Sequence, residues 1–372
     1  MKSLTIGSAT IDTIAIIASD RIERMSMLNA DSSFLLLKEG SKTEAAEVST
    51  HTGGGAVNSA VSMSRLGLDV SALVKLGKDQ RAETVLARLL SEGISTRWAV
   101  RDARAPTGAS VMVSSHDRNA AVFTFRGANT LLESRDLKPE AFAVDLVHVA
   151  SLSNESAERF PEIIDLASAA GALITTNPGP RQLAARGRAF EDCLGKIDIL
   201  SINRSEAEVM LPSLIARFGE GGPNLEGSDL PRLAERGLNG GGFRMTLRAF
   251  MAAVGSLGPR YVLLTDGLDG AYAATSDGLM FCPALKVEVA GTAGAGDAFT
   301  STFATFIALG SKPEHALQAA TVNAASVVSY VDTQTGLLPR AEVEKRVAAR
   351  ASEMPVRRWG FEALKPRRTA AG

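Results

Sequence analysis

The residues with the clearest capacity for chemistry form the segment 291–297, Gly-Thr-Ala-Gly-Ala-Gly-Asp, which leads directly into an apolar pattern of helical spacing. The pattern predicts a helix over 297–309, with Gly310 as its stop. Small residues let an anion approach the backbone closely, and the first amides of a helix have no partner within it. The segment therefore predicts a site for phosphate oxygens at the beginning of this helix.

Asp297 occupies the first turn of the predicted helix, beside this anion site. The helix dipole would keep its carboxylate ionised, and the carboxylate could accept the proton of a hydroxyl placed next to a phosphoryl group. Positioning contributes more than basicity to such a transfer, because the phosphoryl transition state is loose. An aspartate that only caps a helix is an equally good account of this one residue.

A second glycine turn, Gly53-Gly54-Gly55, feeds a helix of small residues that ends near Gly67. Asn58 lies in the first turn of that helix, where its amide could donate and accept hydrogen bonds with neighbouring hydroxyl groups. This arrangement is suited to holding a polyol. Considered alone, an asparagine that satisfies the backbone of a tight turn explains the residue better.

The elements that position these segments alternate between short buried strands and helices. Strands are predicted at 70–74, 144–150, 173–176, 197–202 and 261–265. Helices are predicted at 157–170, 205–218, 243–256, 297–309 and 313–330. This alternation is typical of an α/β fold with a mainly parallel central sheet flanked by helices.

Parts of the chain interrupt this alternation. Two of them, 13–50 and 99–126, alternate β-branched and polar residues, which predicts a small β-sheet that covers the strand ends as a lid; edge hairpins without a role in the site are the alternative. The predicted domain organisation is a main α/β domain at 1–12, 51–98 and 127–355, a lid at 13–50 and 99–126, a glycine-rich insertion loop at 219–242, and a tail at 356–372.

Taken together, the early Gly-Gly…Asn segment and the late Gly-Ala-Gly-Asp segment resemble the paired signatures of the ribokinase (PfkB) carbohydrate kinase family. The resemblance runs from Gly7-Ser-Ala-Thr-Ile-Asp12 to about Arg350, with Gly77-Lys-Asp79, Gly127-Ala-Asn129 and Asn203-Arg-Ser-Glu206 in the family's order. It implies a ribokinase-like fold and transfer of the γ-phosphoryl group of ATP to a hydroxymethyl oxygen of a sugar or related polyol. A nucleoside kinase of the same family is the alternative.

The resemblance also implies a role for individual residues. Asp297 would be the catalytic base, and the amides of Gly294, Ala295 and Gly296 would form the anion hole. The acceptor would be bound by Asp12, Gly54, Gly55 and Asn58. The nucleotide would lie against Asn203, Thr265, Gly267, Gly270, Thr292 and Asn323. Glu206 would orient Mg²⁺ through water, although by itself it is typical of an acidic residue at a helix N-terminus.

Gly291 departs from the family pattern, which usually has aspartate at this place. In the family that aspartate often helps to hold a monovalent cation, so the departure removes the basis for expecting activation by K⁺. Asp297 and the glycine loop are intact, so catalysis is still expected.

Composition narrows the class of protein further. The 40 basic and 41 acidic residues nearly cancel, which argues against nucleic acid as a partner. Cys193 and Cys282 have no paired spacing, which favours a reducing cytoplasm over a disulfide framework or a thiolate metal site. Asp12 interrupts the apolar N-terminal segment, which argues against a signal peptide. No uninterrupted apolar stretch reaches the ~18 residues that a membrane-spanning helix needs. The expected partners are a sugar or nucleoside, and a second copy paired through the exposed lid sheet.

Other classes of protein lack their own signatures here. A Rossmann dehydrogenase needs Gly-x-Gly-x-x-Gly after the first strand, and a P-loop kinase needs Ser or Thr after its Gly-Lys pair; the pairs at 77–78 and 195–196 precede Asp79 and Ile197 instead. The four histidines, His51, His116, His148 and His315, are scattered and are predicted to be structural. A non-catalytic binding module with this fold is the alternative from another class.

Overall fold

The computed structural model describes residues 1–18, 23–26, 33–36, 40, 42–115, 120–227 and 229–361; His116 and the basic residues Lys365, Arg367 and Arg368 lie outside these ranges. The strands are β1 (Lys2–Gly7), β2 (Thr10–Ile17), β3 (Glu23–Ser26), β4 (Ser33–Leu36), β5 (Glu47–Gly53), β6 (Asp69–Gly77), β7 (Val100–Asp102), β8 (Gly108–Ser115), β9 (Ala120–Phe125), β10 (Leu146–Ala150), β11 (Leu173–Asn177), β12 (Ile199–Asn203), β13 (Leu238–Gly240), β14 (Phe243–Met245), β15 (Tyr261–Thr265), β16 (Ala271–Thr275), β17 (Gly278–Cys282) and β18 (Arg357–Gly360). The helices are α1 (Gly55–Arg65), α2 (Gln80–Ser91), α3 (Phe160–Ala169), α4 (Pro180–Glu191), α5 (Arg204–Phe218), α6 (Arg232–Arg236), α7 (Leu247–Ser256), α8 (Ala295–Ala308), α9 (Pro313–Val327) and α10 (Arg340–Ala349).

The large sheet has the strand order β18-β17-β16-β15-β12-β11-β10-β1-β6-β7. The seven strands from β15 to β7 run parallel, and β16, β17 and β18 extend the sheet in antiparallel fashion. The predicted α/β fold with a mainly parallel sheet is therefore confirmed. Because parallel strands end at the same edge, the residues after β1, β10, β11, β12 and β15 meet there.

Helices cover both faces of this sheet. Apolar residues of α3, α4, α5 and α7 pack on one face, around Phe160, Phe190 and Phe250. Residues of α1, α2, α8, α9 and α10 pack on the other, around Phe303 and Phe306. None of the helices within the described ranges has both the length and the apolar composition required to cross a bilayer.

A separate four-stranded sheet, in the order β5-β2-β8-β9, is formed by the two predicted lid regions. Its central pair β2–β8 is parallel and the outer pairs are antiparallel. The regions differ in extent from the prediction: β2 begins at Thr10, and Val100–Asp102 pairs with β6 in the large sheet. Residues 100–102 therefore belong to the large sheet, and the second segment of the small sheet begins at Gly108.

The insertion at 219–242 also differs from the predicted loop. It contains α6 and one strand of the β13–β14 hairpin. The burial of its few apolar residues explains why this segment forms regular structure, since Leu233 and Leu238 are fully buried. Part of the helix predicted at 243–256 is the second hairpin strand, and α7 begins only after Thr246, whose hydroxyl accepts a hydrogen bond from the Ala249 amide at 3.2 Å.

The predicted tail at 356–372 includes an ordered strand. β18 pairs with β17 at the end of the large sheet, with Trp359 opposite Leu279. Trp359 packs against the buried core, which gives this segment a reason to be fixed. Two predicted helices are also shorter than expected, because 154–159 is a 3₁₀ turn before α3 and α9 ends at Val327.

Candidate active site

The glycine-rich turn at 291–296 opens α8, as the sequence predicts. Gly294 precedes the helix with φ of 78°, a left-handed conformation that favours glycine, and a Cβ there would lie 2.7 Å from Thr333 Cβ. Glycine provides no side chain to cap the helix, so the amides of Ala295 and Gly296 are left for a ligand. This geometry is compatible with the predicted anion site, which stays a prediction.

The Asp297 side chain is fixed by a hydrogen bond across two helices. Asn58 Nδ2, on α1, donates to Asp297 Oδ2 at 2.8 Å. The Asn58 carbonyl in turn accepts from Thr333 Oγ1 at 2.8 Å and from Gln334 Nε2 at 3.1 Å. Asn58 is buried, so these contacts set the orientation of the carboxylate. The sequence did not point to Thr333 or Gln334, because they follow α9 without any motif.

Burial raises the pKa of the Asp297 carboxyl, and the hydrogen bond from Asn58 opposes this in part. The direction is opposite to the one predicted from the helix dipole. Removal of the charged form from water outweighs the dipole here. A raised pKa makes the carboxylate a stronger base toward an alcohol.

Replacing Asn58 with alanine should lower the free energy of unfolding by about 2 kcal/mol, because it leaves buried donors on Thr333 and Gln334 without their acceptor. It should also slow any reaction that depends on the orientation of Asp297. Urea denaturation measures the first effect. Asn239→Ala, at an exposed position of the β13–β14 hairpin, is the matched control. It should change the free energy of unfolding by less than about 0.5 kcal/mol. Equal free energies of unfolding for Asn58→Ala and Asn239→Ala would contradict a stabilising role for the hydrogen bonds of Asn58.

The early glycine turn lies directly beside Asp297. A Cβ on Gly55 would be 3.4 Å from Asp297 Oδ1 and 2.9 Å from Ala150 Cβ. Gly54 has φ of 95°, and a Cβ there would be 2.5 Å from the Ser8 carbonyl oxygen. A side chain at either position would clash with these neighbours, and the missing side chain of Gly55 leaves space next to Oδ1.

Asp12 lies on β2 between β5 and β8. Ser110 Oγ donates to Asp12 Oδ1 at 2.6 Å, and His51 is its partner on β5. Burial raises the pKa of Asp12, while hydrogen bonds from Ser110 and Thr10 and the nearby His51 lower it. The lid sheet therefore places a carboxylate at the junction with the early glycine turn. The spacing of the histidines in the sequence did not indicate that His51 lies beside Asp12.

Asn203 and Glu206 form a reciprocal cap at the beginning of α5. The backbone N–H of Asn203 donates to Glu206 Oε2, and the backbone N–H of Glu206 donates to Asn203 Oδ1, both at 2.9 Å. Glu206 is buried, and burial raises its pKa to about 7; the two hydrogen bonds oppose this rise and the charge of Asp297 adds to it. The two carboxylates thus belong to one electrostatic site. Asn177, which the sequence did not single out, ends β11, and its Oδ1 would be 4.0 Å from a Cβ on Gly296.

The remaining predicted residues lie along the next strand end. Thr265 is paired with Asn203 in the sheet, and Gly267 and Gly270 follow with φ of 57° and 121°. Thr292 is exposed in the turn before α8. Thr265, Gly267 and Gly270 therefore follow the same sheet edge as Asn203, and their contact with a nucleotide stays a prediction.

Asn323, which was predicted to contact the nucleotide, is enclosed within the protein. It is completely buried, its Nδ2 donates to Thr302 Oγ1 at 2.8 Å, and its Oδ1 accepts from the Leu338 amide at 3.0 Å. Both ends of the amide are used within the protein, so the predicted contact with the nucleotide is corrected to a structural role.

Gly291 is the position where the sequence departs from the family pattern. A Cβ there would be 3.3 Å from the Tyr330 carbonyl oxygen.

Known proteins are similar to this chain in sequence and in fold. The deoxyribokinase of Salmonella typhi is 25% identical over 323 residues, covering 87% of this chain and 94% of its own. Ribokinase of Arabidopsis thaliana, solved with ribose and ATP, has a TM-score of 0.66 at 20% identity, covering 92% of this chain and 97% of its own. An E. coli protein described as ribokinase II, solved with ATP and Mg²⁺, has a TM-score of 0.70 at 16% identity, covering 94% and 99%. The model of the pfkB family carbohydrate kinases matches residues 20–341, and the chain belongs to this family.

Proposed function

We propose that this protein transfers the γ-phosphoryl group of ATP to a hydroxymethyl oxygen of a sugar or related small polyol. The observation that carries this proposal is the carboxylate of Asp297, held by Asn58 at 2.8 Å beside the open amides that begin α8. An acceptor hydroxyl between these groups would face a proton acceptor on one side and a phosphoryl group on the other. Family membership and the kinase names of the relatives support the same reaction class.

The two oxygens of Asp297 would have different tasks. Oδ2 accepts from Asn58, whereas Oδ1 faces the space that Gly55 leaves open. Oδ1 would therefore take the proton of the acceptor hydroxyl as its oxygen bonds to the phosphorus and the bond to the ADP oxygen breaks. The amides of Gly294, Ala295 and Gly296 would stabilise the charge on the transferred group.

The acceptor would lie between the two glycine turns and the lid. Asp12 would accept hydrogen bonds from its hydroxyls, and the backbone at Gly54 and Gly55 would contact it closely. Asn58 would contribute the second hydrogen of its amide, since one is used by Asp297. The lid sheet would then exclude water from the transfer.

The nucleotide would extend from the anion hole along Thr292, Asn203, Thr265, Gly267 and Gly270. Glu206 is suited to a hydrated Mg²⁺. Burial makes its negative charge unfavourable and raises its pKa to about 7, and a nearby cation would relieve this. When bound, Mg²⁺ would neutralise phosphate charge. Gly291 offers no carboxylate, so we expect equal rates in K⁺ and Na⁺ buffers.

The lid also supports the expected homodimer. Val48, Val111, Phe123 and Phe125 are between 45 and 63% exposed, and the strand register places them on one face of the lid sheet. Burying such a face against a second copy would be favourable. Sedimentation at several protein concentrations would measure the association.

A panel of acceptors with Mg-ATP tests the reaction. Release of ADP that depends on a sugar supports a sugar kinase, and release that depends only on nucleosides favours the nucleoside alternative. Binding without ADP release, in the parent protein and in Asp297→Asn alike, would indicate a non-catalytic module instead.

Glu206→Gln should make the protein more stable at pH 8 and leave stability unchanged at pH 4. The folded pKa of about 7 lies above the ordinary value of 4.5, so the folded state binds the proton more tightly. The parent therefore loses stability between pH 4.5 and 7, by about 3 kcal/mol in total. Denaturant midpoints across this range measure the difference.

The same variant should require more Mg²⁺ for half-maximal ADP release, since the neutral amide attracts the hydrated cation less. Glu208→Gln, on the same helix and only partly buried, is the control. A stability difference that does not change with pH would contradict the raised pKa, and an unchanged Mg²⁺ requirement would remove Glu206 from the metal site.

A further inference from the structure

Two arginines lie close together near the strand ends of the site. Arg126 directly follows β9, where the chain leaves the lid, and its Nη1 donates to Ser153 Oγ at 2.6 Å. Arg181 is exposed in the first turn of α4. Burial lowers the pKa of Arg126, and the positive charge of Arg181 lowers it further. The Leu152 amide donates to Gln182, the neighbour of Arg181, so both arginines adjoin the segment 152–153.

Neither charge is compensated by the part of the protein that the structure describes. Several other arginines are paired with carboxylates: Arg104 with Asp102, Arg159 with Glu162, and Arg186 with Glu158. Within the described ranges, Arg126 and Arg181 have no such ion pair, and the first turn of α4 contains no acidic residue. Two adjacent cations without an anion are unfavourable, and a bound anion would relieve this.

The segment after β10 connects the arginines to the surroundings of Asp297. Ala150 would be in contact with a Cβ on Gly55, which lies next to Asp297. The chain continues from Ala150 to Ser153, the partner of Arg126, and the Leu152 amide donates to Gln182 Oε1 at 3.1 Å, next to Arg181. Three residues span at most about 10 Å, so Ser153 lies within about that distance of Ala150.

We propose that Arg126 and Arg181 bind an anionic group, a carboxylate or a phosphate, at the end of the acceptor opposite to the hydroxyl that is phosphorylated. The inference rests on the proposed function and specifies its substrate class as a sugar acid or a sugar phosphate. A guanidinium group is suited to both, because its planar N–H groups match two oxygens of either anion. Neutral sugars and nucleosides lack this group.

Equilibrium binding without ATP tests the site independently of turnover. Isothermal titration of the Asp297→Asn variant would compare three five-carbon probes with the same free hydroxymethyl group: ribose, ribonate and ribose 1-phosphate. Fructose, gluconate and fructose 1-phosphate form the six-carbon set. We expect one anionic class to bind at least tenfold more tightly than its neutral counterpart, and the tighter class distinguishes carboxylate from phosphate.

Arg126→Gln and Arg181→Gln, each combined with Asp297→Asn, should weaken binding of that anionic class by about 10- to 100-fold and leave neutral probes within about twofold. Arg188→Gln, an exposed arginine on the same helix, is the matched control. Arg181 is exposed, so its replacement should leave the thermal midpoint unchanged even if Arg126→Gln folds poorly. Equal affinity for anionic and neutral probes, unaffected by Arg181→Gln, would overturn the proposal.

Turnover then separates this proposal from the kinase reaction itself. Anionic probes that bind through the arginines without any ADP release would refute the transfer and keep the anion site. ADP release with neutral sugars, at a kcat/KM equal to that of the anionic ones and unchanged in both glutamine variants, would refute the anion site and keep the kinase.

Discussion

Asp297→Asn should lower kcat by about 10² to 10⁴-fold while leaving acceptor and nucleotide affinity within about threefold. The asparagine carbonyl can still accept the hydrogen bond from Asn58 Nδ2, so the side chain keeps its place. What it loses is the capacity to accept a proton at the atom that corresponds to Oδ1. Single-turnover ADP release measures the chemical step, and titration calorimetry measures the affinities.

The control for this variant is Asp69→Asn, an exposed aspartate at the beginning of β6. It should retain the activity of the parent protein. The pH profile provides a second check, because the raised pKa of Asp297 should produce a loss of kcat on the acidic side that is absent from the residual rate of the variant. Activity of Asp297→Asn within a factor of three of the parent would exclude the residue as the base.

Gly294→Ala should have the second largest effect, with kcat reduced by about 10² to 10³-fold and the free energy of unfolding reduced by about 2 to 4 kcal/mol. Its backbone is left-handed, and the new methyl group would lie 2.7 Å from Thr333 Cβ and 3.1 Å from Thr333 Cα. The turn must shift, and the amides that follow it would shift away from the transferred group. Urea denaturation and ADP release measure the two effects separately.

Gly171→Ala separates backbone strain from the clash. Gly171 has a similar φ of 73°, but a Cβ there would meet no atom within 4 Å. This control should lose about 1 to 2 kcal/mol of stability and none of the activity. Full activity of Gly294→Ala would show that the amides of this turn do not hold the phosphoryl group.

The fold was predictable where local pattern decides it. The strand at 261–265 and the helix at 205–218 follow from apolar periodicity, and they occur within one residue of the expected limits. The hairpin and helix inside 219–242 were missed, because eight glycines conceal a few apolar side chains whose burial stabilises them. The strand at Arg357–Gly360 was missed for a related reason, since its pairing partner is 78 residues or so away in the chain.

The candidate site shows the same division. Both glycine turns, Asp297 and Asn58 were selected from sequence because each belongs to a short motif whose spacing has a chemical meaning. Asn177, Thr333 and Gln334 have no such motif, and only folding brings Asn177 near Gly296 and the other two into contact with Asn58. Asn323 shows the opposite case, in which a helix position matched an expectation but the packing of α8 and α9 encloses its amide.

The amino-acid sequence by itself determined the α/β alternation, the glycine turn with its acidic residue, and the family that these motifs resemble. Tertiary structure alone decided the direction of the pKa of Asp297, its coupling to Glu206, and the approach of Arg126 to Arg181. The physical reason is that glycine turns and periodicity act over a few residues. Burial and charge interactions depend instead on distances through space, between residues that are far apart in the chain.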